Sequence, residues 1–161
     1  MNQLDTTDLM KFCGTYLPFR VGEEEYLIDV LNVNEVIDYS EIIPYSVICE
    51  YIDGVIEYRN STLPVILLSG LFGVADNTMA ETTSIIVVHT IGADESERFG
   101  LVVDSLSAMV DVEIDDLEEK PAFSILHDDR FVVCLANVRE KARKIIDPSA
   151  LPVSHDLSLL A

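Results

Sequence analysis

The chain has 161 residues, 49% of them apolar, enough for one packed domain or two small lobes that share a core. Ten Lys and Arg against 29 Asp and Glu leave a formal charge of −19. That field repels phosphate backbones and anionic membrane surfaces, which argues against nucleic acid or direct membrane insertion and favours partners with basic or apolar faces.

Cys13, Cys49 and Cys134 are odd in number and far apart, so they form neither a disulfide framework nor a CxxC metal pair. Cys49 and Cys134, in apolar surroundings, read as small buried hydrophobes. The first residues, MNQLDTTDLMKFC, carry acids where a secretory signal carries basic residues, and runs such as SIIVVHTIG are far too short to span a membrane. A reducing cytoplasm is the expected compartment.

Residues 1–15 read as a lead-in. TYLPFRV then predicts a strand, GEEE a turn, and YLIDVLNVNEVI one or two strands rich in β-branched residues. DYSEIIPYS is a loop interrupted by Pro44, and VICEYIDG a short helical turn closing at Gly54. GVIEYRNSTLPVILL predicts a hairpin with NST at its tip, and Pro64, near the start of the second strand, predicts an edge or first position where no ladder donor is needed. SGLFG closes the unit as a short turn, and VADNTMAETT connects the halves. SIIVVHTI and RFGLVVDSLSAMV follow as strands around the tip GADESE, and DVEIDDLEEKPA reads as an acidic loop. RFVVCLANVREKARKIIDPSAL is either two strands around REKA or a strand and a helix.

Short strands at regular spacing with little amphipathic helix point to small antiparallel barrels. A loose internal repeat supports two lobes: EEEYLIDVLNVNEVI matches ESERFGLVVDSLSAMV through Tyr26 and Phe99, and PVILLSGLF echoes RKIIDPSAL. The expected organisation is one domain over 16–151, with lobe one at about 16–74, lobe two at about 84–151, and a tail over 152–161.

Catalytic machinery does not emerge from the residues. His89, His127 and His155 lack metal-pair spacing, and no glycine-rich phosphate loop is present. DVEIDDLEE lacks the glycine and spacing of a calcium loop. The pattern therefore suits a protein-binding module, with a small acidic β-barrel enzyme using scattered carboxylates as the rival class.

The order YLPFRVGEEEYLIDVLNVNEVI, IDGVIEYRNSTLPVILLSGLFG, SIIVVHTIG and FGLVVDSLSAMVDV resembles the CheW family of chemotaxis coupling proteins over about Tyr16 to Leu151. The family hairpin reads G-V-x-N-L-R-G, then apolar residues, then P-V-x-D-L. Gly54, Val55, Arg59, Pro64 and Val65 match it, whereas Glu57, Tyr58, Asn60 and Leu67 replace its asparagine, leucine, second glycine and aspartate. Asn60 is a mild change because asparagine tolerates left-handed backbone.

This resemblance implies a mainly β fold of two SH3-like five-stranded barrels packed around a shared core, with a few short helices. It implies a non-catalytic adaptor without a cofactor, linking the cytoplasmic tips of chemoreceptors to the regulatory domain of a CheA-type histidine kinase in a membrane-associated array. The departures in the hairpin leave room for an accessory copy serving a type IV pilus or other non-flagellar system. Carried over by motif, the partner-binding residues are Val33 and Glu35 in NVNEVI, Arg59 in the hairpin, and Ile85 in SIIVV. An ion pair between Glu35 and Arg59 is expected, while Val33 and Ile85 read equally as contact or core.

Overall fold

The apolar, β-branched runs become strands throughout. The computed structural model describes residues 9–40, 42–43, 52–72, 82–89, 98–118 and 131–151. In chain order the strands are Gly14–Val21 (β1), Glu24–Asp29 (β2), Val33–Asp38 (β3), Gly54–Tyr58 (β4), Ser61–Leu67 (β5), Ser84–Val88 (β6), Phe99–Val103 (β7), Ser105–Leu106 (β8), Val110–Val112 (β9), Leu117–Glu118 (β10), Val132–Val138 (β11) and Lys141–Ile146 (β12). A one-turn helix, Leu68–Leu71 (α1), follows β5.

Two sheets form. One runs β10-β11-β12-β2-β1-β8, with β9 also on β1; the other runs β3-β6-β7-β5-β4. Each sheet turns one face to a central core and the other to its own interior. Phe19, Tyr26, Ile28, Val132 and Ile146 from the first sheet meet Ile66, Ile86, Val88, Leu101 and Val103 from the second in that centre. Tyr16, Leu27, Cys134 and Ile145 fill the first sheet's interior, and Ile56, Tyr58, Val65, Ile85 and Val87 fill the second's. The period of two along each strand makes this double burial possible: Leu27 and Ile28 are neighbours in β2 yet pack in different cores.

Sheet membership departs from the contiguous lobes expected over 16–74 and 84–151. The chain leaves β2 through the 3-10 turn Val30–Asn32 and enters the other sheet as β3, and it crosses back between β7 and β8. β1 and β2 therefore share a sheet with β11 and β12, while β6 and β7 lie with β4 and β5. Two parallel joints seal the exchange: Tyr26, Leu27 and Ile28 pair with Lys144, Ile145 and Ile146, and Gly100, Leu101 and Val102 pair with Val65, Ile66 and Leu67. The internal repeat is thus real in geometry, but each copy contributes to both sheets.

Three local readings also change. The first hairpin turns on Arg59 and Asn60, both with positive φ (49° and 64°), and Ser61 already pairs with Tyr58; the tip is therefore Arg-Asn rather than NST. β5 is an inner strand, so of the two positions expected for Pro64 the edge is not realised; Pro64 instead precedes the stretch Val65–Leu67 that pairs with β7. Pro64 is tolerated there because its partner Val55 sends both backbone groups to Ile43, which makes Val55–Pro64 a pair without ladder hydrogen bonds. The acidic stretch DVEIDDLEE is not loop: Val112 and Leu117 are buried, the 3-10 turn Ile114–Asp116 is held by a reciprocal Glu113–Asp116 capping box, and β10 follows. Residues 47–51 of the helical turn expected at VICEYIDG and the tip GADESE lie outside the described residues, while Gly54, where that turn was expected to close, begins β4.

Gly54 is set by close approach, since a Cβ there would lie 2.4 Å from the Ile43 carbonyl oxygen and 2.5 Å from Ile42 Cγ2. Gly54→Ala is expected to cost about 1–3 kcal/mol in urea unfolding, whereas Gly70→Ala, with nothing within 4 Å of an added Cβ, is neutral or slightly stabilising. Equal midpoints for the two variants would remove the packing argument.

Glu25 ties β2 to β12: Lys141 Nζ lies 2.7 Å from Oε1 and Arg143 Nε 2.8 Å from Oε2. The Lys141 hydrogen bond, followed by Arg143, holds the Glu25 carboxyl below its ordinary range. A depressed folded pKa contributes stability that is present above the unfolded carboxylate value and is lost as pH falls through the folded one. Glu25→Gln is therefore expected to lower stability at neutral pH by about 1 kcal/mol and to flatten the acid limb of the stability–pH curve; an unchanged acid limb would refute the linkage.

Candidate functional site at the first hairpin tip

A register shift between Val33 and Glu35 decides which way this strand presents its side chains. Val33 pairs with Val88 and Glu35 with Val87, so Asn34 is an extra residue opposite the same stretch of β6. Such a bulge reverses the alternation beyond it. Val33 consequently packs against the central core with Val88, while Glu35 follows Val87 onto the face of the second sheet's interior. Without the extra residue, residues two apart would share a face.

Glu35 meets the first hairpin at the rim of that interior. The Arg59 guanidinium engages it in fork geometry, Nε donating to Oε1 at 3.2 Å and Nη2 to Oε2 at 3.0 Å. The Tyr58 hydroxyl donates a short hydrogen bond to the same Oε1, and the Arg59 guanidinium carbon stands 5.4 Å from the Tyr58 ring centroid. Tyr58 is buried against Ile56, Leu63 and Val87, so its ring belongs to the core and its hydroxyl to the surface. Arg59 is 67% exposed and Glu35 31%.

Hydrogen bonding governs the electrostatics. Tyr58 first, then Arg59, holds the Glu35 carboxyl below its ordinary range. Burial, and after it the bond to Glu35, pushes the Tyr58 phenol up. At neutral pH the trio is a carboxylate, a neutral phenol and a guanidinium, and the carboxylate accepts three hydrogen bonds from within the chain.

The four residues expected from sequence therefore separate. Glu35 and Arg59 meet as an ion pair. Val33 is half-buried on the opposite face of β3. Ile85 is 0% exposed inside the second sheet, so of its two readings the core is the one realised, and it shares that core with Tyr58. Tyr58 was missed; its signal was a phenol where the family hairpin carries leucine. Leu31, 69% exposed on the crossing turn, and Val36, 40% exposed on β3, add apolar surface nearby in the chain. Among the described residues no cluster of three or more His, Cys, Asp or Glu is placed to hold a metal ion, and no helix is long and apolar enough to cross a membrane.

The other half of the molecule supplies an internal comparison. The β11–β12 hairpin turns on Arg139 and Glu140, again with two positive φ values (54° and 62°), and Val138 pairs with Lys141 as Tyr58 does with Ser61. Positive φ at both central residues is the type I′ signature, which strongly prefers Asn and Gly, so an arginine at each tip is unusual. In place of β3, the first sheet has β8 and β9 on β1, and the residues between them, Ser107, Ala108 and Met109, carry no carboxylate. Arg139 makes no ion pair among the described residues. The same tip thus folds with no such trio.

Two SH3-like lobes sharing a core, with an Arg59–Glu35 ion pair bonded to the buried Tyr58 at one hairpin tip, define a double-barrel module. A family model described as the CheW-like domain matches residues 15–154, and the chain belongs to that family. The chain is similar to the chemotaxis protein CheW of Klebsiella aerogenes, 26% identical over 90% of this chain and 85% of that one. It is also similar to the chemotaxis protein CheW of Helicobacter pylori, 28% identical over 74% of this chain and 67% of its relative. Among solved structures, the scaffolding protein TtCheW of Thermoanaerobacter tengcongensis superposes with a TM-score of 0.75 at 27% identity, covering 88% of this chain and 92% of the other.

Removing either donor raises the Glu35 pKa, because each favours the charged form. Carboxyl titration by NMR is expected to show an upward shift of the Glu35 pKa in both Tyr58→Phe and Arg59→Ala. A Glu35 pKa unchanged in either variant would remove that donor from the account.

Proposed function

We propose that this chain is a non-catalytic adaptor that binds the cytoplasmic tips of chemoreceptors through the Glu35–Arg59 hairpin and joins them to a CheA-type histidine kinase. The kinase contact is its regulatory domain, and the setting is the cytoplasmic face of a membrane-associated receptor array. Membership of the CheW-like domain family supports the adaptor role. The observation that carries the site is the contrast between the two hairpin tips: a fork-geometry carboxylate on Arg59 and none on Arg139, although both tips adopt the same strained turn. A trio that is dispensable for the turn in one half has a reason other than the turn in the other.

In this reading the double barrel acts as a rigid spacer with receptor and kinase on different surfaces. Coupling then requires that the two ligands favour the same state of the assembly, typically by about 1–3 kcal/mol.

Purified receptor signalling tips and CheA-type kinase from the same genome provide the test. Arg59→Ala is expected to weaken tip binding by about tenfold or more while retaining the fold and the kinase contact; Arg139→Ala, the matched control, leaves tip binding at the parental level. Parental binding and kinase activation by Arg59→Ala would remove the site assignment, and binding of the parent to neither partner would remove the adaptor reading.

A further inference from the structure

The second sheet's order, β3-β6-β7-β5-β4, places β3 and β4 at its two ends with no ladder pairing between them among the described residues. Side chains cross from one end to the other instead: Glu35 stands on β3, Tyr58 ends β4, and Arg59 begins the turn. The backbone at Arg59 is fixed in a left-handed conformation, φ 49°, so the direction of the guanidinium is set by what its side chain touches. Glu35 is one of those contacts and the Tyr58 ring is the other.

Glu35 has few means of holding its own position. It is the first paired residue beyond the bulge, at an end strand, and its fixed partner besides Arg59 is the Tyr58 hydroxyl. Tyr58 in contrast is anchored by a ring packed in the interior against Ile56, Leu63 and Val87. Rigidity therefore passes from the core through the phenol to the carboxylate and then to the guanidinium.

We propose that Tyr58 is a positioning residue for Arg59: it anchors the Glu35 carboxylate and underlies the guanidinium, so that the free donors of Arg59 point outward at a hydrogen-bond acceptor on a partner protein. A guanidinium carries five N–H donors. Glu35 takes one from Nε and one from Nη2, and the rest lie on a side chain that is 67% exposed. The carboxylate, already accepting from Tyr58 and Arg59, has little left to offer a cationic partner. The site accordingly selects acceptors, and Glu35 and Tyr58 act on the partner through Arg59. This inference rests on the receptor-binding reading of the hairpin, and its test separates the two.

The experiment uses the full chain in three forms, Tyr58→Phe, Arg59→Ala and the double variant, with a purified receptor signalling tip as the probe. Tyr58→Phe keeps the ring and removes the hydroxyl, so the fold survives. In the free protein, the Arg59 Nε–Hε NMR signal is expected to lose heteronuclear NOE intensity in Tyr58→Phe. Tip binding is expected to fall about fivefold in Tyr58→Phe and by no further amount when the change is added to Arg59→Ala, because the phenol acts only through the guanidinium. An Arg59 signal as ordered as the parent's overturns the proposal. So does an equal loss of binding in both backgrounds, which is what a purely structural role would give. If the Arg59 signal loosens and neither single variant alters tip binding, the receptor reading falls and takes the recognition role with it.

Discussion

Tyr26 holds the two sheets together. Its ring stacks on Phe19 at 5.5 Å and on Phe72 at 4.9 Å, and Phe72 continues to Phe131 at 5.9 Å. Phe19 and Tyr26 belong to the first sheet, while Phe72 closes the helical turn that follows β5 of the second. The Lys144 ammonium stands 5.8 Å from the Tyr26 ring centroid on the strand that pairs with β2 in parallel. One aromatic side chain thus touches the turn that follows the partner sheet's β5, its own antiparallel neighbour and the parallel joint. Because each sheet draws strands from both halves of the chain, neither can bury its central face without the other, and the aromatic row is where that mutual dependence is packed.

Much of this was legible in the residues. Strand positions follow from β-branched runs, and the paired hairpins and their short terminal turns follow from the internal repeat. The meeting of Glu35 and Arg59 followed from a motif. Three things stayed hidden for physical reasons. Sheet exchange is a long-range choice: β2 and β7 have the same apolar character, and nothing local says which sheet receives the next strand. The acidic stretch from Asp111 to Glu118 looked solvated because charge dominates it, yet Val112 beside Val110, together with Leu117, buries one face of two short strands. The bulge at Asn34 leaves no compositional mark, since polar residues on a half-exposed strand are ordinary, and only the register shows that Val33 and Glu35 face opposite ways. The exchange of Tyr58 for leucine was visible but had no evident consequence until its hydroxyl was placed on Glu35.

The trio also constrains how a chain of charge −19 can recognise a partner. Arg59 is neutralised by Glu35 at contact distance, so at long range the hairpin adds nothing positive to the field. An acceptor-bearing partner is therefore not drawn in from a distance; its encounter is slowed if it is acidic and helped if its surface is basic or apolar. At short range the balance reverses, because the guanidinium still offers directed donors while its carboxylate partner is held back on the Tyr58 side. Such a site contributes direction and discrimination more than affinity, and affinity must come from desolvated apolar area. The exposed Leu31 and Val36 lie at the start and middle of the same chain segment that carries Glu35, and Val36 pairs with Ile86 on the face turned to the central core. Bulge, phenol and turn then have one common effect: they place an oriented polar group on one face of β3 and leave apolar surface on the other.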